Sequence, residues 1–296
     1  KRIFATMLSA PLFWLVVFFI VPMTVVWLYS FGENKGYVDV AFTGTWSNYG
    51  RVFTPLYLGI FWKSIWIAAL TTVLCLVIGF PVAMAITFAP EKAKPWLLLL
   101  VMLPFWTNLL IRTYALIAAL RHEGYVNTLL GWGWSGVSYV TGLTGHPLGA
   151  FQPLDLLYNN FAVIVGLVFV NLPFMILPLY STLDRLDRSL LEASLDLGAG
   201  HLQTLFNVIV PMAAAGIGSG VLITFIPALG SYLTPDMLGG PDSQMIANVI
   251  EAQFRQANNW PFGAALSFIL VYLTFAGVAI QGVLEAGARR REGRAA

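Results

Sequence analysis

Charge is missing from this chain in long stretches. No Asp, Glu, Lys or Arg lies between Arg2 and Glu33, Lys63 and Glu91, Lys94 and Arg112, Asp155 and Asp184, Asp196 and Asp236, or Arg255 and Glu285. A helix needs about 20 apolar residues to cross about 30 Å of hydrocarbon. Each interval is long enough or nearly so. They predict six transmembrane helices, about 8–30, 62–88, 96–119, 157–180, 207–229 and 261–284. The expected fold class is all-α, a polytopic membrane protein with one transmembrane domain over 1–296. Composition agrees. The chain is 58% hydrophobic and 10% charged, against about 25% charged in soluble domains. A soluble enzyme, a disordered chain and a nucleic-acid binder are excluded. The net charge of +2 points to no polyanionic partner.

A seventh charge-free interval, Glu123 to Asp155, carries Gly131, Gly133, Gly136, Gly142, Gly145 and Gly149, plus Pro147. Irregular backbone exposed to lipid is not tolerated. We expect a short surface helix at about 124–131 followed by an external loop, with a re-entrant segment as the alternative. The first span resembles a signal peptide. It is long for one, contains Pro22, and lacks a small-residue cleavage site, so an uncleaved helix is expected.

Lys and Arg set the orientation. With both ends inside, the inner segments hold Lys1, Arg2, Lys92, Lys94, Arg185, Arg188, Arg289, Arg290, Arg291 and Arg294. The outer segments hold only Lys35, Arg51, Lys63, Arg121 and Arg255. Both termini are therefore expected in the cytoplasm.

Chemistry is hard to find. Lys63-Ser64 has Trp62 where a P-loop needs glycine, so no such nucleotide site exists. No carboxylate sits mid-span to relay protons. Cys75 is the single cysteine, and His122, His146 and His201 lack metal-ligand spacing. We name no catalytic and no metal-binding residue.

The inner segment 181–211 is different. Leu183, Leu186, Leu190, Ala193 and Leu197 recur at helical intervals. Asp184, Arg188, Glu192 and Asp196 follow at intervals of four, with Asp184–Arg188 and Arg188–Glu192 able to support the helix. Gly198 supplies a stop, and a second short helix from His201 leads to Pro211. A face of alternating charge suits a protein partner better than an anionic membrane surface.

Glu192-Ala193-Ser194, Gly198, then Val208, Val210 and Pro211 resemble the EAA loop of bacterial ABC importer permeases. That pattern is E-A-A, three residues, G, nine residues, I-x-L-P. The departures are Ser194, Val208 and Val210. The resemblance implies the type I permease fold and a loop that docks on a cytoplasmic ATPase. It assigns that role to Glu192, Ala193, Ser194, Asp196, Leu197, Gly198, Ala199 and Pro211. Glu192 would anchor the loop, and Gly198 would permit a turn that a side chain would block.

Leu103-Pro104-Phe105-Trp106-Thr107-Asn108, Gly124-Tyr125-Val126-Asn127, Leu172-Pro173-Phe174, Asp236-Met237-Leu238-Gly239-Gly240 and Trp260-Pro261-Phe262-Gly263 look like the spermidine/putrescine group, its B-type subunits. Permeases for other amines, opines or phosphonates share some of them. The resemblance implies an importer subunit forming half of a pathway. Its partners would be a second, different permease, two ATPases that hold ATP and Mg, an external binding protein and membrane lipid, in a bacterial inner membrane. No cofactor is implied on this chain.

Candidate pathway residues are Trp106, Asn108, Arg112, Tyr114, Asn171, Tyr232 and Asp236. The aromatic rings can stack on a cationic amine or sit as interfacial belt residues. Arg112 lines the path, holds an acidic partner, or snorkels outward. Asn171 marks a kink beside Pro173 or serves as polar packing. Asp236 greets a cation, meets the receptor, or is solvated. The reading from another class is an ion-coupled carrier acting alone.

Overall fold

The structure is a computed structural model describing residues 2–35, 40–143 and 149–295. Side chains of residues 2–7, 10, 142–143, 188, 280 and 283–295 are not among those described. Lys1 and His146 fall outside this set, as do the Arg188 and C-terminal arginine side chains. Four helices are long and apolar enough to cross a membrane, and two bent pairs pass together, making up to six spans.

The described chain forms two compact units, Lys1–Trp62 with Ile246–Ala296, and Lys63–Met245. In the first, α1 (Arg2–Leu15) passes through a π-helical turn at Val16–Ile20 into α2 (Val21–Tyr29). The turn precedes Pro22, whose missing N–H cannot join the helical ladder. Strands β1 (Gly32–Asn34) and β2 (Val40–Phe42) pair antiparallel, Glu33 opposite Ala41. Helix α3 (Ser47–Val52) is pinned by buried Asn48, whose Nδ2 donates to the Ser30 and Gly32 carbonyls. The long α4 (Pro55–Thr87) starts here, with α14 (Ile246–Arg255) and α15 (Trp260–Ala295) at the other end of the sequence. Val52, Phe61, Ile246, Phe262 and Leu266 make the core. Trp27 Nε1 donates to the Tyr272 hydroxyl at 2.8 Å.

The second unit continues α4 and adds α5 (Lys94–Met102), α6 (Leu109–Leu120), α7 (Tyr125–Leu143), α8 (Asn160–Leu183), α9 (Arg188–Asp196), α10 (His201–Thr204), α11 (Val210–Met212), α12 (Ala214–Leu229) and α13 (Leu233–Leu238). Its main packing pair is α8 against α12. A Cβ at Gly216 would lie 2.5 Å from Thr182 Oγ1, and one at Gly220 2.8 Å from Met175 Sδ. In lipid, where apolar burial drives little association, small residues let helix backbones approach. Cys75, Ala83, Met175, Ile176 and Leu179 fill the core beside this pair.

Three expectations are corrected. The span at 96–119 is broken rather than continuous: the segments Lys94–Trp106 and Leu109–Thr141 meet at 94°. Thr107 is extended, and Asn108 begins the new helix by accepting the Leu110 N–H at 2.8 Å. An Asn N-cap satisfies an orphan donor and so stabilises a restart. The span at 207–229 likewise bends by 68° between His201–Met212 and Ala214–Leu229, after a π-helical turn at Leu205–Ile209 that precedes Pro211. Finally, residues 132–143 are helical, not loop, because α7 runs to Leu143. Its glycines cost about 1 kcal/mol each relative to alanine. Packing opposes that cost: Trp134 Nε1 donates to the Gly149 carbonyl at 2.8 Å, and its ring meets Phe151.

Both ends of this unit gather the loops that alternating spans require. At one end Lys94 meets Asp184. At the other, Lys63 donates to the Asp242 carbonyl, His122 pairs with Asp155, and Tyr158 N–H donates to Leu238.

Candidate functional site

The apolar stripe from Leu183 to Leu197 does not lie on one helix. Helix α8 ends at Leu183 and α9 starts at Arg188. Asp187 is the N-cap, its carboxylate accepting the Ser189 N–H at 2.9 Å. That bond, with a second from the Ser189 hydroxyl, holds the Asp187 carboxyl below its ordinary range. Leu186 and Leu191 face the core. Leu190 is exposed, and Leu197 is 88% exposed.

The C-terminus of α9 is closed by backbone alone. The Gly198 N–H donates to Leu195 O at 2.9 Å and the Ala199 N–H to Ser194 O at 3.1 Å, with Gly198 at φ +85°. This is the paired closure of a Schellman motif, which satisfies orphan carbonyls and favours glycine in the left-handed region. A Cβ at Gly198 meets nothing within 4 Å. The expected turn is present, and what bars a side chain from it is the left-handed backbone rather than a neighbouring atom.

Gly200 then starts α10, with Gln203 Oε1 accepting its N–H at 2.9 Å. Ser194, the departure from E-A-A, lies 3.0 Å from the Thr204 hydroxyl. That contact joins α9 to α10. Thr204 is buried, and sequence reasoning missed it because no local pattern marks it. Glu192 and Asp196 are exposed. Glu192 has no partner among the described residues, a set that leaves out the Arg188 side chain. The pairs expected through Arg188 rest on a side chain outside the described set, and Asp184 instead meets Lys94. Pro211 sits at the bend before α12. Leu202 is 71% exposed and Phe206 is exposed too. The loop thus presents Leu190, Leu197, Leu202 and Phe206 outward.

Of the candidate pathway residues, Trp106, Asn108 and Arg112 come together at the helix break. Arg112 donates to the Pro104 carbonyl and, at 3.1 Å, to the Thr107 carbonyl. The Pro104 carbonyl also accepts the Thr107 N–H at 3.3 Å and the Thr107 hydroxyl at 2.8 Å, so Arg112 adds to the closure of the broken helix. Its guanidinium lies 6.0 Å from the Phe169 ring. Among the described residues no carboxylate reaches it. Trp106 and Tyr114 are exposed. Asn171 is buried and donates to the Leu167 carbonyl of its own helix at 2.8 Å. Tyr232 precedes α13, and Asp236 lies within it, exposed. The structure does not bring these last three to the break as one cluster of contacts.

Among the described residues no group of three metal-ligating side chains occurs. What the arrangement offers is mechanical: a short capped helix with an exposed apolar edge, joined to bent spans.

Comparison with known proteins places these features. Residues 75–290 match the family described as binding-protein-dependent transport system inner membrane component. The spermidine/putrescine transport system permease protein of Haemophilus influenzae is 41% identical over 261 residues, covering 88% of this chain and 86% of the relative. Its Escherichia coli counterpart is 40% identical over 260 residues, covering 87% and 88%. Among solved structures, a bacterial alginate ABC transporter in complex with an alginate pentasaccharide-bound periplasmic protein aligns with a TM-score of 0.71 at 14% identity, covering 95% of this chain and 92% of the other.

Proposed function

This chain belongs to the binding-protein-dependent transport system inner membrane component family, and from that premise we propose that it is one transmembrane subunit of an ATP-driven importer of polyamines, spermidine and putrescine. The observation that carries the substrate is the identity of 41% across most of both chains to a permease named for those amines. It is a multi-pass inner-membrane protein, and we place both termini in the cytoplasm on the loop-charge asymmetry.

The mechanism starts from the loop at 181–211. Helix α9 has nine residues, too short to be stable alone in water. Asp187 and Gly198 close its two ends, and the Ser194–Thr204 contact joins it to α10. It therefore moves as one body. Its outward leucines suit an apolar groove on an ATPase, and Glu192 suits a charged partner at the rim, where charge sets register more than affinity. ATP and Mg act on that separate subunit. Its closure displaces the loop, and α8, continuous in sequence with the loop, tilts with it. None of the apolar window in Pro11–Tyr29 is buried in the chain, which suits a span that faces lipid or a second permease. Selection falls to an external binding protein.

The test is reconstitution with the ATPase, the second permease and the receptor. Uptake of radiolabelled spermidine that requires ATP supports the proposal. A receptor that ignores polyamines overturns the substrate. Uptake driven by an ion gradient with no ATPase present overturns the mechanism in favour of a lone carrier.

A further inference from the structure

We propose that Lys94 is a positioning residue, a clamp that carries displacement of the 181–211 loop into α5. The inference rests on the reading of that loop as the ATPase contact. It starts from a local anomaly. Lys94 opens α5, where the positive end of the helix dipole disfavours a cation. Its placement does not serve α5. Its Nζ instead donates to Glu91 Oε1 at 2.7 Å and to Asp184 Oδ1 at 2.8 Å.

The two partners are not equal. The Lys94 side chain is 10% exposed, Asp184 36% and Glu91 81%. The Glu91 pair is local and water-screened, and exposed pairs contribute little. The Asp184 pair joins residues 90 apart in sequence. It is the more shielded of the two, so it responds more to a lost partner. Asp184 is the C-cap of α8 and lies three residues before the N-cap of α9. The contact therefore falls on the junction between span and coupling helix. Thr87, Phe88, Leu186 and Leu191 line the 310 Å³ cavity beside it.

The far end of this connection is the helix break. From Lys94, α5 and the following 3-10 turn run to Trp106. At about 1.5 Å per residue that is a strut of roughly 20 Å. It ends at Thr107 and Asn108, beside the carbonyls that Arg112 holds. Motion of the loop then reaches the break by a route other than α8.

The experiment uses the complete reconstituted complex and reads radiolabelled spermidine imported per ATP hydrolysed. Lys94→Met and Asp184→Asn are each expected to lower that ratio at least fivefold, with the ATPase still copurifying. The double variant should be no worse than either single, because contacting partners are not additive. Lys94→Arg, Glu91→Gln and the exchange Lys94→Glu with Asp184→Lys should stay within about twofold of the parent, and the exchange guards against mere misfolding of the singles. Wild-type coupling in Lys94→Met, additive singles, or an equal loss in Glu91→Gln would overturn the clamp. A parent complex whose receptor binds spermidine but which imports none with ATP overturns the reading of the loop itself, and the clamp with it. A clamp failure in a working importer leaves the loop reading standing.

Discussion

Replacing Gly198 separates a conformational requirement from a steric one. The residue sits at φ +85° with no atom within 4 Å of where a Cβ would lie. The cost of a side chain is then that of the left-handed backbone, about 1–2 kcal/mol. Such a penalty lowers an equilibrium population about 5- to 30-fold. Helix α9 has little margin to absorb it, since nine residues do not hold a helix alone. Gly198→Asn should transport nearly as the parent, because Asn tolerates this region. Gly198→Ala should lose most uptake, and Gly198→Val more, as β-branched residues avoid positive φ. The assay is ATP-driven spermidine uptake, with membrane insertion and ATPase copurification measured on the same preparations. A ranking by side-chain volume, with Asn as harmful as Val, would refute the conformational argument. Normal uptake in all three would refute the role of the turn.

Four further outcomes are expected. Ser194→Ala and Thr204→Ala should each lower stability by about 0.5–1.5 kcal/mol, the net value of one hydrogen bond, and the double variant should add little beyond that in thermal unfolding. Leu197→Asp with Leu202→Asp should abolish ATPase copurification while insertion and melting stay unchanged, because both side chains are exposed; retained copurification counts against the docking edge. The folded Asp187 carboxyl lies below its ordinary range, so its capping contribution is present above the unfolded value and lost only as pH falls through the folded one. Uptake between about pH 6 and 8 should therefore not vary through this group, and Asp187→Asn should retain activity that Asp187→Ala loses. Arg112→Leu should lower the melting temperature and leave the spermidine KM within about twofold, since the guanidinium serves the Pro104 and Thr107 carbonyls; a KM shift above tenfold would give it a substrate contact.

The family and the long apolar helices were legible in the linear chain. Hydrocarbon rejects charge at every point along a helix, so the spacing of charged residues alone marks the crossings. Asp187, Gly198 and Asn108 were in principle legible too, because caps act over two to four residues. What stayed hidden depended on partners far away in sequence. Periodicity put Leu186, Leu190 and Leu197 on one face, yet packing turned Leu186 inward with Leu191 and left Leu190 and Leu197 in the open. Sequence determined which segments are apolar enough to cross a membrane. Only tertiary structure decided where two spans bend, which edge of α9 faces out, and that Lys94 reaches Asp184 across 90 residues, because a contact between distant residues leaves no periodic trace in either segment.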